Sequence, residues 1–353
     1  MRVLHLPNNI ASQISVTVRA LREIGVDARG LVCGTGPMQD PRGIEILIPM
    51  SRRRHPVRGA LRTITSAPHL LRALSWADVV HWHAGWALPL ALEVKYAARL
   101  GKAGLIEFWG SEIRVPEIAG ADNPYLAALY NRHPELRPPS GKPRTLQAMF
   151  ARQGFSCLIP GYELDAYVHR DLFPEFFRCA CPLLLSEFDP AYPDPANARP
   201  LVVHSPSNQS RKGTEAVLHA VDELRQTEAF EFRLLHGVPR AEALAVVRGC
   251  DIFLDQFVYG AEGFACLEAM ALGKPALCYI KPSLLPKYPP DLPIVVADPD
   301  NLTEVLRGLV RDGRRRHEIG RASRAYVEKH HDAHHVAREL VAIYERLLHR
   351  VPG

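Results

Sequence analysis

The chain has 353 residues, 47% of them hydrophobic and 23% charged, with a formal net charge of +5. That length suits two domains of ordinary size, each able to bury a core, and so modest a charge gives no reason to expect nucleic acid as a partner. No apolar run reaches the roughly 20 residues needed to span a bilayer, and the N-terminus enters a strand directly, so a cytoplasmic protein without a signal peptide is expected. The seven cysteines lack paired spacing, as befits buried thiols in a reducing compartment.

Residues 1–7 read as a first strand, followed by a loop with Asn9 and Ser12 and a helix to about residue 24. Residues 28–33 and 45–48 read as further strands. The stretch 51–76 carries Arg52, Arg53, Arg54, His55, Arg58, Arg62 and Arg72 among Val57, Leu61, Ile64, Leu70, Leu71 and Leu74, with no acid. Three readings are open: an amphipathic surface on anionic lipid, a solvated basic face, or arginines gripping an anionic acceptor.

A strand over 77–82 ends in His81-Trp82-His83-Ala84-Gly85-Trp86. The two histidines share a face but no third ligand is near, so no metal is expected. The strand over 104–108 leads into Trp109-Gly110-Ser111-Glu112-Ile113-Arg114. Residues 115–144 are irregular. Strands over 156–159 and 179–185, the latter with Cys179 and Cys181 alternating, complete the first half. The proline-rich run 189–200 marks the boundary.

In the second half, strand 201–204 precedes a loop with Ser207, Asn208, Arg211 and Lys212 that opens a helix; a lysine there suits a phosphate. Strand 230–236 is followed by Gly237-Val238-Pro239 and another helix. Strand 251–257 then runs into Gly260 and Gly263, a helix over 264–272, Gly273 as a left-handed cap, and strand 276–280. Glycines opening a helix at a strand's carboxyl end offer free backbone N–H groups to a phosphate. Glu268 stands alone on that apolar helix. Strand 293–297 closes the sheet, and Asn301 with Glu304 reads as a capping box, which disposes of a metal role for Asp298 and Asp300. His330, His331, His334 and His335 sit at a helix junction and read as structural or solvated.

The string from Gly263 to Ala276, Gly-Phe-Ala-Cys-Leu-Glu-Ala-Met-Ala-Leu-Gly-Lys-Pro-Ala, resembles the donor-binding signature of retaining glycosyltransferases with the GT-B fold, family four. The resemblance implies an α/β protein of two doubly wound, parallel-sheet, Rossmann-like domains facing a cleft. Residues 1–188 would form the acceptor-binding domain, 200–333 the nucleotide-sugar domain, and 334–353 a helix crossing back to the first. It implies Glu268 on the donor ribose, Arg211 and Lys212 with Ser207 and Asn208 on the pyrophosphate, and Gly237 and Val238 near the base. Gly263 and Phe264 would open the donor helix. In gap-free register Gly260 takes the place of the family's first glutamate, with Glu262 as a substitute acceptor for the donor sugar. Asn9, Ser12, His83, Trp109, Glu112 and Arg114 would lie on the acceptor side, and His83, Lys212 and Glu262 would serve catalysis.

A nucleoside-diphosphate sugar is the implied co-substrate, with no metal or other cofactor. The acceptor would be a glycan, a lipid-linked glycan or a small molecule, in polysaccharide biosynthesis, with residues 51–76 touching the inner membrane face. Two alternatives stand beside transfer: a sugar-nucleotide epimerase on the same fold, and a sugar-nucleotide-binding subunit without catalysis.

Overall fold

The computed structural model describes residues 1–34, 39–46, 56–138 and 142–350, with the backbone alone for 46, 56–65 and 142. Seven strands form the first sheet: β1 (Arg2–Pro7), β2 (Asp27–Val32), β3 (Ile44–Ile46), β4 (Val79–His83), β5 (Ala103–Glu107), β6 (Ser156–Ile159) and β7 (Phe176–Arg178). Their order is β3-β2-β1-β4-β5-β6-β7, and every pair is parallel. β4 and β5 are buried along their whole length, as strands covered by helices on both faces must be. The order reverses between β1 and β4, so their carboxyl ends diverge into the kind of crevice where open α/β sheets take ligands.

The second sheet holds β8 (Leu201–His204), β9 (Glu231–Leu234), β10 (Ile252–Leu254), β11 (Ala276–Cys278) and β12 (Val295–Val296). It runs β12-β11-β10-β8-β9, again all parallel, with its reversal between β8 and β10. A core of Val202, Val217, Val221, Ile252, Leu254 and Leu277 lies between this sheet and its helices.

Contacts divide the chain into two compact units that are discontinuous in sequence. The first holds Met1–Val115, Pro138–Leu184 and Ala333–Gly353; the second holds Pro116–Arg137 and Leu185–Asp332. The irregular stretch expected within the first domain thus gives its helices Pro116–Ala121 and Pro124–Arg132 to the second unit. Asn123 caps the latter by accepting from Leu126 N and donates to Val258 O at 2.8 Å, which ties the insertion to the second unit.

Two local expectations fail. Residues 179–185 are not a strand: after Cys179 N donates to Ile159 O at 3.2 Å, Pro182 cannot extend the ladder, and β7 ends at Arg178. Asn301 makes no capping box either. Its Oδ1 reaches back to Asp298 N at 2.9 Å, while Glu304 pairs with Arg307. Short asparagine side chains readily take such turn bonds in place of a helix cap.

The basic stretch contains the helix Pro56–Trp76, with Leu70, Ala73 and Leu74 buried and Arg72 exposed. Arg52, Arg53, Arg54 and His55 lie outside the described residues, as do the side chains of Arg58 and Arg62. No helix among the described residues is long and apolar enough to cross a membrane.

Candidate functional site

In the second unit the loop after β8 folds into the short helix Gln209–Lys212, capped by Asn208, whose Oδ1 accepts from Arg211 N at 2.9 Å. Gly213 then takes φ +74°, with Phe257 Cβ only 3.1 Å from where a side chain would begin. Both the angle and the crowding demand glycine. This turn aims Lys212 at the residues after β10. Its Nζ donates to Asp255 Oδ1 at 3.0 Å, and Asp255 Oδ2 accepts from Gly263 N at 2.5 Å. Gly263 is the N-cap of the helix Phe264–Ala271. One carboxylate therefore joins the lysine to a helix start, where an ammonium, free N–H groups and the positive dipole end meet.

Glu268, within that helix, is buried and does not stand alone. Arg240 donates to its Oε1 through Nε at 2.8 Å and Nη2 at 2.5 Å. Burial pushes the Glu268 carboxyl up, against the pull of Arg240. Arg240 is the first residue of the helix Arg240–Arg248, so the Gly237-Val238-Pro239 turn is coupled to Glu268 through one guanidinium. Arg211 Nη2 is directed at Leu136 O at 3.4 Å, and Ser207 is exposed.

Gly260 adopts φ +79°, and its O accepts from Lys281 N at 3.0 Å. Lys281 Nζ in turn donates to Asp122 Oδ1 at 2.6 Å. Glu262 accepts a hydrogen bond from the buried Tyr288 hydroxyl. Burial and the neighbouring Glu262 push that phenol up, so it stays a donor. Beneath the site, burial pushes His204 down to about 4. Its Nδ1 contacts Leu254 O and its Nε2 the Thr214 hydroxyl, both at 2.9 Å, a bridge a neutral imidazole satisfies.

In the first unit, Ala11 and Ser12 sit at φ +47° and +65°, a left-handed geometry that glycine adopts without strain. The loop is held by Asn9, whose Oδ1 accepts from Ser15 N at 3.2 Å, and by Ser12 Oγ, which accepts from Asp40 N at 2.7 Å. Glu112 caps its own turn, accepting from Trp109 N and Gly110 N. Arg114 makes a bidentate pair with Glu163 at 3.0 and 2.8 Å. Glu112 also lines a cavity of about 470 Å³ with Asn8, Gly85, Trp86 and Ser111. Asn9 and Ser12 are instead engaged in holding the surrounding backbone, and Arg114 is tied to the Glu163 carboxylate.

His83 ends β4, and here the expectation of no third histidine nearby is overturned. β1 runs beside β4 with His5 opposite His81, which brings His5 Nδ1 to 3.0 Å from His83 Nε2. One nitrogen from each of the three buried rings lies within 4.8 Å of the others. Spacing along β4 could not reveal the partner that strand pairing supplies. Asp255, Arg240, Tyr288 and His5 are the residues sequence reasoning passed over; only Asp255, an acid inside an apolar run, left a visible signal.

Residues 209–342 match the glycosyl transferase-like family. No curated protein matches the chain in sequence. Among solved structures, sucrose-phosphate synthase from Thermosynechococcus elongatus is similar at 12% identity and TM-score 0.63, covering 99% of this chain and 100% of that one. The catalytic domain of starch synthase IV from Arabidopsis thaliana, bound to ADP and acarbose, gives 12% identity and TM-score 0.65 over 99% and 100%. Anabaena HepE in complex with UDP and glucose gives 10% identity and TM-score 0.60 over 98% and 100%. The chain is therefore a GT-B fold protein, and within it residues 209–342 are glycosyl transferase-like.

Proposed function

We propose that this protein is a retaining glycosyltransferase that moves a sugar from a nucleoside-diphosphate sugar to a glycan, lipid-linked or small-molecule acceptor. The observation that carries the reading is Lys212 held against the N-terminus of the donor helix through Asp255. A compact cation there takes the charge of a departing diphosphate without a metal, since its positive field is set before the bond breaks. Glu268 holds the ribose through the oxygen that Arg240 leaves free, and the Gly237–Val238 turn flanks the base. The first unit offers its acceptor pocket at Trp86 and Glu112. Similar folds that bind UDP and glucose or ADP support a nucleotide donor. The test is transfer: purified protein with a panel of nucleotide sugars and acceptors, products analysed for anomeric configuration. Donor that binds but is neither transferred nor hydrolysed would favour the binding-subunit reading, which Gly260 at the first-glutamate position supports.

Glu262→Ala is expected to lower turnover less than Lys212→Ala and to change sugar preference more than nucleotide affinity, because Glu262 answers to the sugar. Kinetics with two donors sharing one base check this. Outright loss of transfer with donor still bound would make Glu262 the principal sugar-binding carboxylate.

The basic stretch is expected to give salt-sensitive flotation with anionic vesicles, each arginine near the surface contributing about 1 kcal/mol. Changing Arg52, Arg53, Arg54, Arg58 and Arg62 to glutamine should abolish it. If the parent protein does not float at low salt, the lipid-surface reading of the stretch falls.

A further inference from the structure

Five buried polar side chains of the first unit close a ring. Glu107 Oε2 lies 3.1 Å from His83 Nδ1, and His83 Nε2 lies 3.0 Å from His5 Nδ1. His5 Nε2 lies 3.4 Å from the Tyr344 hydroxyl, and that hydroxyl 2.8 Å from His81 Nδ1. His81 Nε2, 3.4 Å from Glu107 Oε2, completes the circuit. His5, His81 and Tyr344 are wholly buried, His83 and Glu107 nearly so.

Each link needs one hydrogen. Three neutral imidazoles bring one apiece and the phenol one, so four hydrogens serve five links. Whichever way the donors run, one link of the five is left without a hydrogen, with two lone pairs facing each other. Among the described residues, the groups within ion-pair distance of Glu107 that can carry positive charge are His81 and His83.

We propose that this ring is a proton-binding site, holding one proton beyond the neutral set on an imidazolium whose charge cancels that of Glu107. Five hydrogens then fill five links, and no buried charge is left uncompensated. Against the effect of burial, hydrogen bonds from His81 and His83 hold Glu107 down to about 2, so the carboxylate does not take the proton. His83, at 3.1 Å from the carboxylate against 3.4 Å for His81, is the ring closest to Glu107 and is the carrier in this arrangement. Among the described residues, the titratable groups beside the ring are Cys179 and, on the helix Ala333–Arg350, Glu339, to which the Cys179 thiol donates at 3.4 Å. None of these is a cation.

Two competing arrangements fit less well. The Trp109 indole Nε1 approaches His83 Nδ1 at 3.3 Å. If it donated there, the neutral set would satisfy itself, but a lone pair would face the carboxylate at 3.1 Å and Glu107 would be buried unpaired. An unpaired buried carboxylate costs more than an unpaired indole N–H. A divalent cation on the imidazoles would occupy two links and leave four hydrogens for the remaining three, stranding one donor. The inference is independent of the glycosyl-transfer reading, since it concerns the ground state of one unit.

Histidine side-chain nitrogen NMR on the labelled full-length protein tests it. One imidazole of the three should show both nitrogens protonated at neutral pH. In Glu107→Gln the counter-charge is gone and the amide donates a hydrogen itself, so the imidazolium signal at neutral pH should vanish. Trp109→Phe should leave the signal in place, and it remains informative if Glu107→Gln does not fold. Three neutral rings in the parent at neutral pH would overturn the proposal, as would loss of the signal in Trp109→Phe. So would stoichiometric zinc in the purified protein.

Discussion

Lys212→Ala is expected to weaken binding of a nucleoside diphosphate about 10- to 150-fold, because one charge-assisted contact to phosphate, worth roughly 1.5–3 kcal/mol, is lost. The side chain is only 16% exposed, and its partner Asp255 is 1% exposed, so the ammonium is fixed in place before any ligand arrives. Preorganised charge loses little entropy on binding. The same burial has a second effect. Without Lys212, Asp255 keeps the Gly263 N–H as a donor but loses its counter-ion, so the variant should also melt earlier. Titration calorimetry well below the melting transition separates the two. Asp255→Asn serves as the control: it frees the lysine and should retain most of the nucleotide affinity. A folded Lys212→Ala protein with the parent's affinity for the diphosphate would remove Lys212 from the phosphate site.

Glu268→Gln should weaken nucleoside and nucleoside diphosphate alike, by about tenfold or more, since a charge-assisted bond to ribose is lost while the phosphate contact stays. Lys212→Ala should instead erase the preference for the diphosphate. The two variants thus read different ends of one ligand, and their effects should add if the sites do not couple. The pH dependence has a definite sign. Burial raises the folded-state pKa of Glu268, so its contribution to stability is greatest in acid and is lost as pH rises through that raised value. Glutamine does not titrate. Without ligand, the variant should lose less stability than the parent between acid and neutral pH, Arg240 moderating the difference from its partly exposed position. If Glu268→Gln melts far earlier and binds normally when cold, the carboxylate serves Arg240 and the fold rather than the ribose.

Both sheets were legible because parallel strands buried on two faces leave continuous apolar runs, such as 79–80 and 252–254, between glycine-marked turns. The start of the helix Phe264–Ala271 at Gly263 was legible for the same reason, since turn chemistry is local. What escaped was long-range pairing. Arg240 meets Glu268 across 28 positions, and His5 meets His83 across 78, through strand register and helix placement that no periodicity encodes. The false strand over 179–185 shows the converse: alternation of Cys179 and Cys181 mimicked a strand that Pro182 forbids.

The interleaving of the two units fixes when each can finish folding during synthesis. The second needs residues 116–137 together with 185–332, and the first needs 333–350 in addition to its early strands. His5 is made 339 positions before its Tyr344 partner. A ribosome-bound chain therefore carries two incomplete cores while residues 185–332 are being made, and the first core stays incomplete until residues 333–350 follow; expressing residues 200–333 alone would omit the helices that residues 116–132 supply. Neither half is a free-standing gene fragment.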